Sequence, residues 1–153
     1  MAANLETLAY DLALRSLHQQ ERTLEELRAR TGTLLTATAV TTSFLGARAL
    51  TADANHIVGT VGFGFAIVSI VLSVYVLAPK HVFEFAISGS AIYEYFADDG
   101  TPFPEVQRTL SYWAQRVWDS NQAVIDRLVV WFQRSCFALV VAVAVWCVAL
   151  ALH

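Results

Sequence analysis

Residues 56–79, HIVGTVGFGFAIVSIVLSVYVLAP, contain no Asp, Glu, Lys or Arg, and a helix of that length spans about 30 Å of hydrocarbon. A short chain carrying such a segment must surround it with lipid or with other helices. The remainder supplies no large aqueous domain to bury it. The 153 residues are 56% hydrophobic and only 15% charged, off the pattern of an ordinary soluble domain. The expectation is an all-α integral membrane helical bundle, a single membrane domain with lipid as its surrounding partner.

Three crossings are expected. Residues 31–50, TGTLLTATAVTTSFLGARAL, carry no charge before Arg48 and form the first span, 56–79 the second, and 135–153, SCFALVVAVAVWCVALALH, the third. The sequence TADAN at 51–55 is a short turn, so the first two spans form a hairpin. Ahead of them, residues 3–30 read as an amphipathic cytoplasmic helix with Asn4 as N-cap, no Gly or Pro inside, and leucines at 5, 8, 12, 17, 24 and 27. Residues 80–104 form a cytoplasmic loop or interfacial segment. Within it, 81–97 is an interfacial helix or an extension of span two, and Asp98-Asp99-Gly100 with Pro102 and Pro104 marks a turn and a helix start. From Glu105, the positions Val106, Leu110, Trp113, Val117, Val124, Leu128 and Trp131 follow helical spacing. A cytoplasmic helix over 105–134 therefore runs into span three, and Asn121 falls on its apolar stripe.

Arg22, Arg28, Arg30, Lys80, Arg127 and Arg134 gather on one side of these spans and Arg48 alone lies on the other. The bias toward cytoplasmic positive charge predicts an N-terminus inside a bacterial inner membrane and a C-terminus outside. Residues 1–30 mix both signs of charge and lack the basic start and apolar core of a cleavable signal. Ten Lys and Arg scattered along a chain of net charge −3 form no basic stripe, which argues against a nucleic-acid partner. The four histidines share no metal-ligand spacing. Cys136 and Cys147, eleven positions apart on one helix, stand roughly 16 Å apart and cannot pair. There is no glycine-rich phosphate loop, G-x-S-x-G or H-E-x-x-H. A non-enzymatic protein without cofactor or metal is expected.

Span one is unusual. Thr31, Thr33, Thr36, Thr38, Thr41, Thr42 and Ser43 place seven hydroxyls within thirteen residues, so this helix packs among other helices or lines water in a homo-oligomer. In the second case Thr31, Thr38 and Thr42 are the pore-lining candidates. Small residues recur at steps of three and four on span one, at Gly32, Thr36, Ala39, Ser43 and Gly46, and on span two, at Gly59, Gly62, Ala66, Ser69 and Ser73. Such ridges allow close helix packing where lipid offers no hydrophobic drive. They zip the hairpin together or make a subunit contact. Trp113 and Trp118 lie several turns before span three and need a protein surface. Leu17, Leu24 and Leu27 of the N-terminal helix supply it, which sets two long helices side by side outside the membrane.

The stretch LEELRARTGTLLTATAVTTSFLGA at 24–47, with WDSNQAVIDRL before the last span, resembles small actinobacterial membrane proteins. The layout of a cytoplasmic helix leading into a span hairpin is similar to the SLATT and Pycsar transmembrane effectors of bacterial antiphage signalling. That resemblance implies a membrane part that oligomerises and permeabilises the inner membrane when a nucleotide signal or a partner protein is sensed. A recognisable sensor domain is missing, which favours gating by a cytoplasmic protein partner or by assembly. The alternative is a structural or accessory membrane protein whose cytoplasmic helices dock a partner.

Overall fold

The computed structural model describes residues 2–48, 56–79, 83, 94–96 and 101–151. It is built from helices: α1 (Ala2–Thr41), a π-helical turn (Thr42–Gly46), α2 (His56–Leu77) and α3 (Phe103–Ala151). No strand occurs among the described residues. The expected turn at 51–55 and most of 81–97 lie outside them. Helix α3 begins where Pro102 offers its carbonyl to the N–H groups of Glu105 (2.9 Å) and Val106 (3.3 Å). Pro104 sits in the first turn, where its missing N–H costs nothing, and Glu105 complements the positive end of the helix dipole.

Each helix buries a narrow stripe. In α3, Gln107, Ala114, Asn121, Leu128, Ser135, Ala142 and Ala149 are buried, one residue in every seven. Helix α1 buries Leu17, Leu24, Thr31 and Thr38 at the same step, and α2 buries Gly59, Gly62, Ala66, Ser69, Ser73 and Val76 at alternating steps of three and four. A step of 3.5 residues per turn is the repeat of supercoiled helices packed side by side. In α1 the next position after Thr38 would be Leu45. The π turn inserts one extra residue into the winding, and Gly46 takes the buried place instead. Back-bonding by Thr42 to the Thr38 carbonyl (2.7 Å) and by Ser43 to the Ala39 carbonyl (2.9 Å) accompanies this widening.

The described helices fall into two compact units, Met1–Glu25 with Lys80–Asp126, and Glu26–Pro79 with Arg127–His153. In the first, Thr7 donates to Gln107 Oε1 (3.0 Å), and the Gln20 amide donates to the Trp118 carbonyl and to Gln122 Oε1, both at 3.0 Å. Residue i of α1 is thus level with about residue i + 100 of α3, and the two helices run parallel. Leu17, Ala114 and Val117 form their core, with Ala13, Trp113 and Trp118 packed against it. In the second unit the π turn, α2 and α3 share a core of Ala66, Ala142, Trp146 and Ala149, edged by Leu45 and Val58.

The stripe of α3 differs from the one expected at 105–134. Val117, Leu128 and the expected Asn121 are buried, but Gln107, Ala114 and Ile125 replace Val106, Leu110, Trp113, Val124 and Trp131 at the buried positions. Two helices in close contact accept small or amide side chains along the seam and move the indoles to its flank. Among the described residues two helices are long and apolar enough to cross a membrane, Ile57–Leu77 and part of Phe103–Ala151. Helix α1 is not among them, because its hydroxyls dilute the apolar residues of 31–48.

Leu128 is almost fully buried and Val130 is exposed. Leu128→Ala is expected to cost about 2–5 kcal/mol by leaving a cavity, and Val130→Ala no more than about 0.5 kcal/mol. Thermal melts of the two variants in one detergent, followed by circular dichroism, check this.

Candidate functional site

The second unit is organised around Trp146, whose side chain is fully buried. Its indole N–H donates to the Gly59 carbonyl of α2 at 3.2 Å. The ring occupies space left by two glycines. A Cβ at Gly62 would lie 2.5 Å from Nε1 and 2.7 Å from Cδ1, and one at Gly46 would lie 3.2 Å from Cζ2. The indole is therefore clasped by α2 and the π turn, in a seat that a Cβ at Gly62 would block and one at Gly46 would crowd.

Further along α2 and α3, Ser69, Ser73 and Ser135 are completely buried. The Ser69 hydroxyl donates to the Ser135 carbonyl (3.0 Å) and the Ser135 hydroxyl donates to the Ser69 carbonyl (2.8 Å). With the Ser135 proton committed, Ser73, 2.8 Å from Ser135 Oγ, is the donor of that pair. This reciprocal exchange satisfies all three protons and cross-links two helices without a charge. Each hydroxyl meets other hydroxyls and carbonyls. Near the ends of this pair, Tyr75 meets the edge of Trp131 (5.6 Å between centroids) and the Arg134 guanidinium lies 4.8 Å from the Trp131 centroid.

The five small residues expected as a ridge on span two, Gly59, Gly62, Ala66, Ser69 and Ser73, occupy the buried face of α2. On span one the expected faces are exchanged. Thr31 and Thr38, read as pore-lining, are fully buried among the helices of their own chain, and Thr42 is half-buried. Of the proposed packing ridge only Gly46 is buried; Gly32 is half-buried, and Thr36, Ala39 and Ser43 are exposed. The hydroxyls misled because they satisfy themselves within the helix. Thr31, Thr33, Thr36, Thr38, Thr42 and Ser43 each bond the carbonyl four residues back, at 2.7–3.2 Å, so Thr31 and Thr38 need no water. Trp146 and Ser135 were missed as site residues. Both lie on the stripe of α3, and a large ring level with two glycines on neighbouring helices was the available signal.

The first unit holds a groove of about 430 Å³ lined by Ser16, Gln19, Gln20, Thr23, Gln115, Trp118, Gln122 and Ile125. Asp126 accepts from the Gln122 amide (2.8 Å), which turns Gln122 Oε1 toward the Gln20 amide. Gln20 is 5% exposed and its Oε1 has no partner among the described residues. Leu17 meets Trp113 and Trp118 in this unit's core; Leu24 is buried in the first unit and Leu27 in the second. Among the described residues no group of three His, Cys, Asp or Glu side chains could hold a metal ion. No protein-family model, curated protein or solved structure matches the chain.

Gly62→Ala is expected to displace the indole, break its bond to Gly59 and destabilise the protein by about 1–3 kcal/mol, as overpacking does. Gly64 has open space around its Cβ position, so Gly64→Ala is expected to be neutral or to stabilise by up to about 1 kcal/mol through helix propensity. Melting temperatures and Trp emission of the pair test this.

Proposed function

We propose that the chain is a non-enzymatic, multi-span membrane effector that acts as a homo-oligomer and permeabilises the bilayer between its copies. The observation that carries this reading is the inverted distribution of side-chain size in the second unit. Its buried positions are mostly Gly, Ala, Ser and Thr around Trp146, with Leu27, Val76 and Leu128 as the larger aliphatic exceptions, while Phe63, Ile67, Val71, Phe137, Val140 and Val148 point outward. Bulky apolar residues outside and small ones inside suit helices packed in hydrocarbon. The Tyr75–Trp131–Arg134 group suits the interface where hydrocarbon gives way to headgroups.

In this reading α1 crosses as a third span although it is the least apolar, because it enters with α2 and α3 around Trp146. The N-terminus lies in the cytoplasm of a bacterial cell. The core of one copy is filled, so any conduit runs between copies. The outward face of α1 and the π turn is the candidate lining, since Thr33, Thr36 and Ser43 are exposed there alongside Val40 and Phe44, whereas the outward faces of α2 and α3 are more uniformly bulky and apolar. Thr31 and Thr38 keep a packing role.

A second reading is an accessory membrane protein that docks a cytoplasmic partner. The exposed leucines of the first unit, Leu5, Leu8 and Leu12, favour it. Flux separates the two readings. Purified protein in liposomes is expected to release a small trapped dye or ions, and Thr36→Leu with Ser43→Leu to reduce release at least about tenfold, by making the lining apolar. Liposomes that stay sealed at every protein density tested would contradict the effector reading.

A further inference from the structure

The first unit presents a face that its own helices leave open. Leu5, Leu8 and Leu12 of α1 are 70%, 55% and 55% exposed. The same face continues at steps of three and four through Ser16, Gln19 and Thr23, the α1 wall of the groove. The two edges of the groove differ in charge. Arg15, His18 and Arg22 line an adjoining depression of α1 that shares Gln19 with the groove, and Asp11 and Glu25 flank them on the same stripe. The α3 edge carries Asp119 and Asp126, which accept from the amides of Gln115 (3.1 Å) and Gln122 (2.8 Å). Arg116 lies a further step round α3, and all of these charged side chains are exposed.

The levels of these charges matter as much as their signs. With residue i of α1 level with about residue i + 100 of α3, Arg15 and Arg22 stand about one helical turn from the levels of Asp119 and Asp126. Copies of one protein in one membrane share an orientation, so they are related by rotation about the membrane normal, and each side chain meets its neighbour at its own depth. Arginines on one edge and aspartates on the other, within about one helical turn of the same depth and so within reach of a long guanidinium side chain, suit a head-to-tail contact that closes into a ring.

We propose that this face is occupied by a second copy of the chain, with the Arg15/Arg22 edge of one copy against the Asp119/Asp126 edge of the next. The contact covers the Leu5–Leu8–Leu12 stripe and closes the groove over Gln20, whose Oε1 has no partner among the described residues. The proposal rests on the homo-oligomer reading above and assigns that assembly its contact.

Charge reversal of the full-length protein in mild detergent tests it, with molar mass read by light scattering over a range of concentrations. Wild type is expected to associate. Arg15→Glu with Arg22→Glu gives a chain acidic on both edges, and Asp119→Lys with Asp126→Lys one basic on both edges. Each is expected to weaken association at least about tenfold, since like charges then face each other. An equimolar mixture of the two is expected to recover association, because acidic and basic edges alternate round the ring. Circular dichroism confirms that the variants are folded. Asp119→Lys alone, which leaves the bonds from Asp126 through Gln122 to Gln20 in place, supplies the basic edge if the double variant misfolds.

A monomeric wild type, reversals that leave association unchanged, or a mixture that stays dissociated would each overturn the proposal. An alkaline wash of membranes separates this from failure of the underlying reading. A chain stripped by the wash contradicts membrane insertion itself, whereas a retained chain that fails the reversal test contradicts only this contact.

Discussion

Trp146 needs room that two other segments must provide. A buried indole brings a large apolar ring and one N–H that has to be bonded, and here the Gly59 carbonyl takes the N–H while Gly62 and Gly46 leave the ring its space. Gly46 reaches that position through the π turn, which advances the winding of α1 by one residue past Leu45. The composition of α2 follows from the same requirement, since a helix that must approach another closely carries Gly, Ala and Ser at its inward positions, with Val76 in the last turn the exception. Where the helices draw close at Ser135, reciprocal hydroxyl-to-carbonyl bonds take over from the ring.

The polarity of α1 follows from this arrangement. Taken alone, the segment after Thr31 is a poor candidate for hydrocarbon. Packed with α2 and α3, it buries Thr31, Thr38 and Gly46, and its hydroxyls return their protons to the carbonyls of their own helix. A hydroxyl bonded in this way costs far less in an apolar surrounding than a free one. In the proposed membrane arrangement, the insertion of α1 depends on the helices it packs against, and its outward hydroxyls become the feature that distinguishes it from the other two.

Much of the helical architecture was legible in the sequence, and the reasons are local. The absence of charge in 56–79, the Pro102–Pro104 start of α3 and the unbroken helix into the last apolar segment all act within a few residues. The face of α2 was legible because every small residue lies on one stripe. The face of α1 was not, because Thr and Ser are ambiguous: small enough to pack, polar enough to meet water, and able to satisfy themselves in either place. The π turn left no mark in the spacing, since one inserted residue is visible only against a partner helix. The α3 stripe was misread by following the large apolar residues, whereas the seam is held by Ala114, Asn121 and Ser135 with the indoles beside it. The Gln20 side chain was unreadable, because its surroundings come from a helix about a hundred residues away.

The account depends most on α1 crossing together with α2 and α3, and the side of the membrane reached by each end of the described chain tests it directly. With Cys136 and Cys147 replaced by Ser, single cysteines introduced by Asp11→Cys and by Ala151→Cys are exposed to a membrane-impermeant maleimide on sealed vesicles of known sidedness. Three crossings predict that the two positions label from opposite sides, Asp11→Cys from the cytoplasmic face and Ala151→Cys from the other. Labelling of both from the same side would mean that only α2 and α3 cross, and would contradict the three-helix membrane bundle built around Trp146.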